Sequence, residues 1–252
     1  AATLLLEGKT MSNAQTTLRA GDIAFIGLYM DGLSTAGDGF TFIMLKSVDA
    51  GTVIYFTDEG WDASNTTWYG NSNDAHFTWT APSCGSAIGT IIHIENTSLT
   101  EFSATTGTVS NTLNGSWNLS SSGDQMVAYQ SSSGVRPASP TFIAAVDADY
   151  YIDSTYDGID GWGSSYYAQN YCSYIPPGLT NGVNCVALVN GTTAVSGGFA
   201  VGYECDNYKY TGTLTGTADV VRAAINTNTN WTGNEDGSLT ISVSDYSTPS
   251  VT

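Results

Sequence analysis

Few residues of this chain have side chains suited to acid–base chemistry. Asp58 and Glu59, adjacent in FTDEGW, are the best candidates for the pair of carboxylates that a glycosidase requires. Neighbouring residues of a strand point to opposite faces, which weakens them as a pair. The stretch equally fits a strand that ends in a polar turn. A glycosidase that uses Asp58 or Glu59 is therefore kept as one alternative.

The two histidines, His76 and His93, do not occur in a recognisable catalytic motif. The sequence contains no G-x-S-x-G and no H-E-x-x-H. His93 alternates with isoleucines in IIHIEN, which predicts the polar face of a strand. We therefore expect a protein that is not an enzyme, with no catalytic residue.

An acidic and aromatic segment, DADYYIDSTYDGIDGWG, runs from Asp147 to Gly163. Calcium takes six to eight oxygen ligands, many of them carboxylates, although the spacing of an EF-hand is absent here. We predict a calcium site that draws on Asp147, Asp149, Asp153 and Asp157, with a solvated acidic loop as the other interpretation. No other cofactor is expected.

Aromatic residues are plentiful in the predicted loops, among them Trp61, Trp68 and Trp162. Such rings could stack on sugars, or they could pack beneath loops and in a core. Together with the acidic segment they give a second alternative, a calcium-assisted carbohydrate-binding module.

The composition indicates an exported protein. The net charge is −17, from 23 acidic and 6 basic residues, and such a surface repels nucleic acid and anionic lipid. No stretch approaches the ~20 apolar residues of a membrane span, so membrane insertion is not expected. The start lacks the features of a signal peptide, and we expect a mature secreted chain from which that peptide has been removed.

Cysteines and glycosylation sequons agree with an extracellular location. Four cysteines without a C-x-x-C pair favour two disulfides, and we prefer Cys172 with Cys185 and Cys84 with Cys205, although three connectivities exist. N-x-[ST] sequons can also arise by chance in a chain rich in Asn, Ser and Thr. The candidate glycosylation sites are Asn65, Asn96, Asn114, Asn118, Asn190 and Asn230.

The elements that must position these residues are mainly strands. Three short apolar runs, IAFIGLYM, FTFIML and TVIYFT, lie between Ala20 and Trp61 and are rich in β-branched and aromatic residues. Further strands are predicted in HFTWTAPSCG and GTIIHIEN, around a Pro-Ser-Cys-Gly turn, and in GDQMVAYQ, PTFIAAVDA, NCVALV, GFAVGYE and, as the last one, DGSLTISVSDY. One helix is predicted over 217–226, capped by Thr217, with Val220, Val221, Ala224 and Ile225 on one side.

These elements predict an all-β sandwich with one domain. We assign residues 1–19 to an N-terminal strand or tail, residues 20–246 to the β-sandwich and residues 247–252 to a C-terminal tail.

The order of the motifs GDIAFIG, FTFIML, AGTVIYFTDEGW, FTWTAP, SSGDQMVAYQ and PTFIAAV resembles a module of uncharacterised secreted bacterial proteins. The pieces IPPGLTNGVNCVALV, DNYKYTGTLTGT and INTNTNWTG extend the resemblance over about Leu18 to Gly233. The arrangement is also similar to lamin-tail domains, which implies an immunoglobulin-like β-sandwich. No catalytic residue can be carried over from this resemblance.

The N-terminal segment contains three consecutive leucines, Leu4, Leu5 and Leu6. They are too few for a membrane anchor, but as a short apolar strand they could pair with an open sheet edge. The ten residues from Gly8 to Thr17 reach roughly 30 Å when extended, enough to reach an adjacent subunit. Packing of the leucines on their own domain is the other interpretation of this segment. The expected function is that of an extracellular structural or adhesive protein, a glycosylated subunit of a filament or matrix assembly.

Overall fold

The computed structural model describes residues 15–32, 37–64, 66–69, 74–113, 115–121, 123–148, 162–163, 173–188, 190–195, 199–203, 205–235 and 239–252. These residues form an all-β sandwich with one short helix, as predicted. In chain order the strands are β1 (Ile23–Tyr29), β2 (Gly39–Met44), β3 (Val53–Thr57), β4 (Trp61–Asp62), β5 (Thr67–Trp68), β6 (His76–Thr80), β7 (Ile91–Ser98), β8 (Glu101–Ala104), β9 (Thr108–Leu113), β10 (Gln125–Gln130), β11 (Thr141–Asp147), β12 (Cys185–Ala187), β13 (Asn190–Val195), β14 (Phe199–Tyr203), β15 (Asn207–Tyr210), β16 (Thr215–Gly216), β17 (Trp231–Asn234) and β18 (Ser250–Val251).

Two six-stranded sheets make up the sandwich. The first has the order β17-β15-β1-β2-β7-β8 and the second has the order β12-β11-β10-β3-β6-β9. Every pairing in them is antiparallel except that of β11 with β12. The three runs between Ala20 and Trp61 are thus central: β1 and β2 lie in the first sheet and β3 lies in the second.

Aromatic side chains fill the space between the sheets. Phe40 of the first sheet lies 5.0 Å from Phe56 and 6.0 Å from Phe77 of the second, measured between ring centroids. Trp117, from the loop after β9, packs edge-on against Phe40 at 5.9 Å. These rings are fully buried. Phe40 therefore joins both sheets and one long connection.

The second sheet is apolar on its outer face as well. Val127, Tyr129 and Phe142 point there and form a second buried cluster with Trp61 and Trp68. These two tryptophans belong to the small hairpin of β4 and β5, which follows β3. This small hairpin therefore covers part of the outer face.

The helix α1, Ala218–Ile225, begins after Thr217, whose side chain accepts a hydrogen bond from the Val220 amide. Val221 and Ile225 are buried, whereas Val220 is 56% exposed, so the apolar residues that were predicted to share one side of the helix do not all face the core.

The C-terminal region differs from the prediction. Residues 239–246, predicted as part of the last strand, contain a 3-10 helix, Val243–Asp245. The Tyr246 hydroxyl donates to the Ile26 carbonyl, and this segment crosses the outer face of the first sheet instead of pairing at its edge. Farther on, Ser250–Val251 pairs in parallel with Thr215–Gly216, so the predicted tail belongs to the folded domain. In the part of the chain described here, no helix is long and apolar enough to cross a membrane.

Replacing Phe40 tests the importance of the aromatic layer. Phe40→Ala removes a ring that both sheets contact, and we expect the free energy of unfolding to fall by about 3–5 kcal/mol in urea denaturation. Val220→Ala, at an exposed helix position, serves as control with a change within about 0.5 kcal/mol. If Phe40→Ala lowers the free energy of unfolding by less than about 1 kcal/mol, the Phe40 ring is not important for packing the two sheets together.

Candidate functional site

A polar cluster is buried on the outer face of the second sheet. Glu59 follows β3, His76 begins β6, Tyr129 lies in β10 and Arg136 lies in the loop between β10 and β11. The strands β10, β3 and β6 are neighbours in the sheet, and this order brings four residues distant in sequence together. We call these four residues the Glu59 network.

Short hydrogen bonds connect the Glu59 network. Arg136 donates to both Glu59 oxygens, from Nε at 2.8 Å and from Nη2 at 2.5 Å. Nε2 of His76 lies 2.7 Å from Glu59 Oε2, and its Nδ1 lies 2.8 Å from the Tyr129 hydroxyl. The Arg136 backbone amide donates to that same hydroxyl at 3.1 Å, which closes a ring of contacts.

The positions of the hydrogens follow from these contacts. An ionised carboxylate only accepts, so His76 Nε2 carries a hydrogen and donates it to Glu59. In neutral His76, Nδ1 then accepts from the Tyr129 hydroxyl, which in turn accepts from the Arg136 amide. Burial lowers the pKa of His76, although contact with Glu59 opposes this shift, and the neutral form is therefore favoured.

Aromatic rings and a loop enclose the network. The Trp68 ring packs edge-on against His76 with 5.0 Å between centroids, and its Nε1 donates to the Pro137 carbonyl at 2.9 Å. Glu59 and His76 side chains have no exposed surface, whereas 31% of the Arg136 side chain is exposed. Arg136 adopts a φ of 49°, and its amide and guanidinium bonds hold it there.

This geometry favours a structural role over catalysis. The oxygens of Glu59 already accept three hydrogen bonds, and no surface of this carboxylate reaches solvent. A nucleophile or general base has to reach a substrate atom, directly or through one water. Asp58 is also buried, at 5% exposure, and the carboxylates that raise its pKa by repulsion are Asp124 and Asp74 rather than Glu59.

Other buried carboxylates hold the loop that follows β9. Asp38 accepts from the amides of Leu119 and Gly32, and Asp124 accepts from the Ser120 and Gln125 amides, all at 2.8–3.0 Å. These side chains satisfy loop amides that no strand can pair. Burial raises the pKa of Asp38 to about 6, despite the amides that lower it. Burial, together with repulsion from Asp124 and Asp74, raises the pKa of Asp58 well above its usual range. Burial does the same for the pKa of Asp124, although the Ser120 and Gln125 amides oppose it.

Asp74 lies beside the Glu59 network, and its Oδ2 atom is buried without a hydrogen-bond partner. Burial raises the pKa of Asp74 to about 6, with a further contribution from Glu59 and an opposing one from Arg136. The chain therefore keeps a carboxyl group half-buried near an ion pair that it does not join.

Of the predicted calcium ligands, the structure describes only Asp147. It is fully buried in β11 and accepts from the Ser173 amide at 3.3 Å. Asp149, Asp153 and Asp157 lie outside the described residues. Among those described, no three His, Cys, Asp or Glu side chains are arranged to hold a metal ion. The calcium site stays a prediction.

The described residues contain no disulfide. Cys84 is exposed in a turn and Cys205 is buried elsewhere, and no bond joins these two predicted partners in the structure. Cys172 lies outside the described residues, and its pairing with Cys185, which is buried in β12, stays a prediction.

The sequons differ in accessibility. Asn96 is only 2% exposed; its side chain donates to the Trp117 carbonyl and accepts from two amides, so this folded state has no room for a glycan there. Asn118 is exposed, and Asn230 is half-buried with its Nδ2 atom bonded to the Ala224 carbonyl. Asn65 and Asn114 lie outside the described residues, and the side chain of Asn190, in β13, is not described. Except for Asn96, glycosylation stays a prediction.

The tryptophans considered for sugar stacking are not available on the surface. Trp61, Trp68 and Trp162 are 3%, 2% and 1% exposed and belong to the second buried cluster. This removes their part of the argument for a carbohydrate-binding module. The Leu4, Leu5 and Leu6 segment lies outside the described residues, and its pairing stays a prediction.

Sequence reasoning missed three members of the Glu59 network. A signal was present for Arg136, because a chain with 6 basic residues has few partners for any buried carboxylate. His76 and Tyr129 gave no comparable signal, since their contact depends on the neighbouring positions of β6, β3 and β10.

Comparisons of the chain with protein-family models, curated proteins and solved structures found no match. The resemblance to lamin-tail domains therefore stays a prediction.

Removing Arg136 tests the buried ion pair. Arg136→Met leaves the Glu59 charge buried with only His76 as partner, and we expect a loss of about 3–5 kcal/mol in the free energy of unfolding. Arg222→Met is the matched control, because Asp219, its partner at 2.8 Å, has an 82% exposed side chain. The control should cost about 0–1 kcal/mol, and equal losses in both variants would contradict the role given to Glu59.

The raised pKa of Asp74 predicts a pH dependence. Between about pH 4 and pH 6 the folded state keeps a proton on Asp74 that the unfolded state has released, so Asp74 contributes stability at low pH that is lost as the pH rises through about 6. The melting temperature of Asp74→Asn minus that of the parent protein should therefore increase as the pH is raised from 4 to 7.5. Asp219→Asn controls for the loss of a surface charge, and a parent–variant difference that does not change with pH would refute this assignment.

Proposed function

We propose that this protein is a secreted, non-enzymatic structural or adhesive protein that serves as a glycosylated subunit of an extracellular assembly. The observation that best supports a non-catalytic role is the enclosure of Glu59, whose oxygens are occupied by Arg136 and His76. Glu59, His76 and Arg136 therefore stabilise the fold by bonding to one another.

The domain is suited to carrying load. Aromatic side chains join its two sheets across the core, and buried carboxylates fix the loop after β9 to both sheets. Interiors packed in this way deform little. A rigid sandwich with a strongly acidic surface remains soluble while it presents its edges and loops to partners.

The N-terminal segment offers a route to assembly. Thr16 donates to Asp49 at 3.0 Å through its hydroxyl and to Thr52 Oγ1 at 3.0 Å through its amide. Leu18 is fully buried, and its amide donates to Gln130. The chain is thus fixed from Thr16 onward, and the eight residues from Gly8 to Gln15 reach at most about 28 Å.

Open sheet edges could receive the leucine segment. The first sheet ends in β17 and β8, and the second ends in β12 and β9. An edge strand has unpaired amides and carbonyls that bind an added strand, and pockets for alternate side chains set its register. When the added strand comes from a neighbour, a head-to-tail contact propagates as a filament unless the rotation closes a ring.

Shortening the N-terminus tests this proposal. We expect the full chain to form oligomers in light scattering at micromolar to millimolar concentration, and deletion of residues 1–10 to give monomers. The triple variant Leu4→Ser, Leu5→Ser, Leu6→Ser keeps the length and should behave like the deletion. If the deletion and the triple variant both keep the melting temperature of the full chain, the loss of oligomers is not caused by a loss of folding.

Two results would overturn the proposal. A full chain that is monomeric throughout the concentration range, and that binds no surface polysaccharide or cell wall, would exclude a structural or adhesive role. Hydrolysis of glycosides that disappears in Glu59→Gln, with folding retained, would instead favour the glycosidase alternative.

A further inference from the structure

A cleft opens on the outer face of the first sheet, away from the Glu59 network. It has a volume of 210 Å³ and lies between the strand ends of β1, β2 and β7 and the segment 239–246. Its described lining residues are Tyr29, Gly37, Gly39, His93, Glu95, Thr240, Ile241 and Ser242. The proposed structural function does not use this cleft.

Gly39 keeps the cleft open. It pairs with Tyr29 on one side and with Glu95 on the other, in the register of β1, β2 and β7. A Cβ atom at this position would lie 3.1 Å from Cε1 of His93 and 3.3 Å from Cβ of Glu95. A side chain there would occupy the space between the two residues.

The tautomer of His93 follows from its contact with Thr41. The Thr41 hydroxyl donates its one hydrogen to the Ile241 carbonyl at 2.5 Å. Its oxygen, 2.9 Å from His93 Nδ1, must therefore accept from that nitrogen. Burial lowers the pKa of His93, with Glu95 opposing, which favours the neutral ring. The neutral ring then presents the Nε2 lone pair as an acceptor.

A second acceptor lies beside the first. Oε2 of Glu95 is 3.6 Å from His93 Nε2, and the Glu95 side chain is 49% exposed. The other oxygen, Oε1, accepts from the Ser103 hydroxyl at 3.3 Å, which holds the carboxylate in place. Two acceptors that cannot bond to each other leave a position for a donor between them.

The opposite wall of the cleft also presents an acceptor. The Ser242 hydroxyl donates to Asp245 at 2.8 Å, and Thr240 also donates to that carboxylate. The Ser242 oxygen then accepts from the Ser244 hydroxyl at 2.8 Å, so on this wall the Thr240 oxygen is the one that we assign to a ligand. Asp245 also acts on His93 electrostatically, and Asp31 and Asp38 act on Tyr29 in the same way. Lys209 lies over the Tyr246 ring at 5.4 Å from its centroid and is not a lining residue of the cleft, although its charge acts on Asp245.

This set of groups selects a cation that carries several hydrogens. An ammonium group has three donors and no acceptor, which complements a histidine lone pair, a carboxylate and a hydroxyl oxygen. Charge-assisted bonds to Glu95 strengthen binding, and the face of an aromatic ring such as Tyr29 attracts cations and covers a carbon chain. An anion would be repelled by the Glu95 carboxylate and would meet mainly acceptor atoms.

We propose that this cleft binds a protonated primary amine, with its nitrogen between His93 Nε2 and the Glu95 carboxylate and its carbon chain against Tyr29. The ammonium group belongs either to a free small amine or to a lysine side chain.

Titration with small probes tests the proposal. The backbone amide signals of His93 and Glu95 are followed by NMR at constant ionic strength while n-butylammonium chloride is added to the full chain. We expect saturable shifts with a dissociation constant of roughly 1–50 mM, typical of one small charged group in an open site. Butan-1-ol, of the same length but uncharged, should give no saturable shift.

Matched variants locate the site. Glu95→Gln keeps the shape and removes the charge, and we expect binding at least about tenfold weaker. Glu101→Gln, an exposed glutamate on β8 in the same sheet, should bind as the parent protein does. Nα-acetyl-lysinamide distinguishes the two sources: equal binding means that the cleft admits lysine side chains, and binding of n-butylammonium alone restricts it to free amines.

Three outcomes would overturn the proposal. They are the absence of saturable shifts with the amines, equal shifts with butan-1-ol, and equal weakening by Glu101→Gln and Glu95→Gln. Because assembly is measured separately by light scattering, these outcomes leave the structural role unaffected.

Discussion

The aromatic layer between the two sheets is the constraint from which the rest of the structure follows. The rings of Phe40, Phe56 and Phe77 are buried against one another, and this packing places β2 of the first sheet over β3 and β6 of the second. The second sheet has apolar residues on its other face as well, so that face must also be covered. The hairpin of β4 and β5, with Trp61 and Trp68, covers part of it and helps to enclose His76 and Glu59. A buried carboxylate without a partner is costly, and Arg136, in the loop between β10 and β11, is the partner of Glu59.

Acidic residues have two separate roles in this protein. Those on the surface contribute to the net charge of −17, which favours solubility and discourages contact with nucleic acid. Those inside, such as Asp38 and Asp124, act as acceptors for loop amides, and burial keeps their pKa values high. A raised pKa reflects this burial, because a protonated carboxyl group costs less to bury than an ionised one. The acidic composition therefore does not by itself indicate a cation site.

The Glu59 network and the cleft show why similar residues lead to different functions. Each contains a glutamate beside a histidine. In the network, Arg136 and Tyr129 occupy the remaining bonding positions, and no surface of the carboxylate is exposed. In the cleft, Thr41 fixes the tautomer of His93, and its Nε2 atom and Glu95 remain open to a ligand. The difference lies in the partners and the exposure of the groups rather than in their type.

The sequence by itself determined the fold class, about half of the strands and the capped helix, because period-two alternation, β-branched runs and the Thr217 cap are local properties. It did not predict β8 and β9, whose alternation uses polar residues, or the 3-10 helix near Val243, whose segment alternates like a strand but is held by contacts with β1 and β2. The candidate carboxylates Asp58 and Glu59 were visible as residues, but their burial and partners were not. Only the tertiary structure decided these, because His76, Tyr129 and Arg136 meet Glu59 through the order of strands in a sheet, and strand order is not encoded by residues close in sequence.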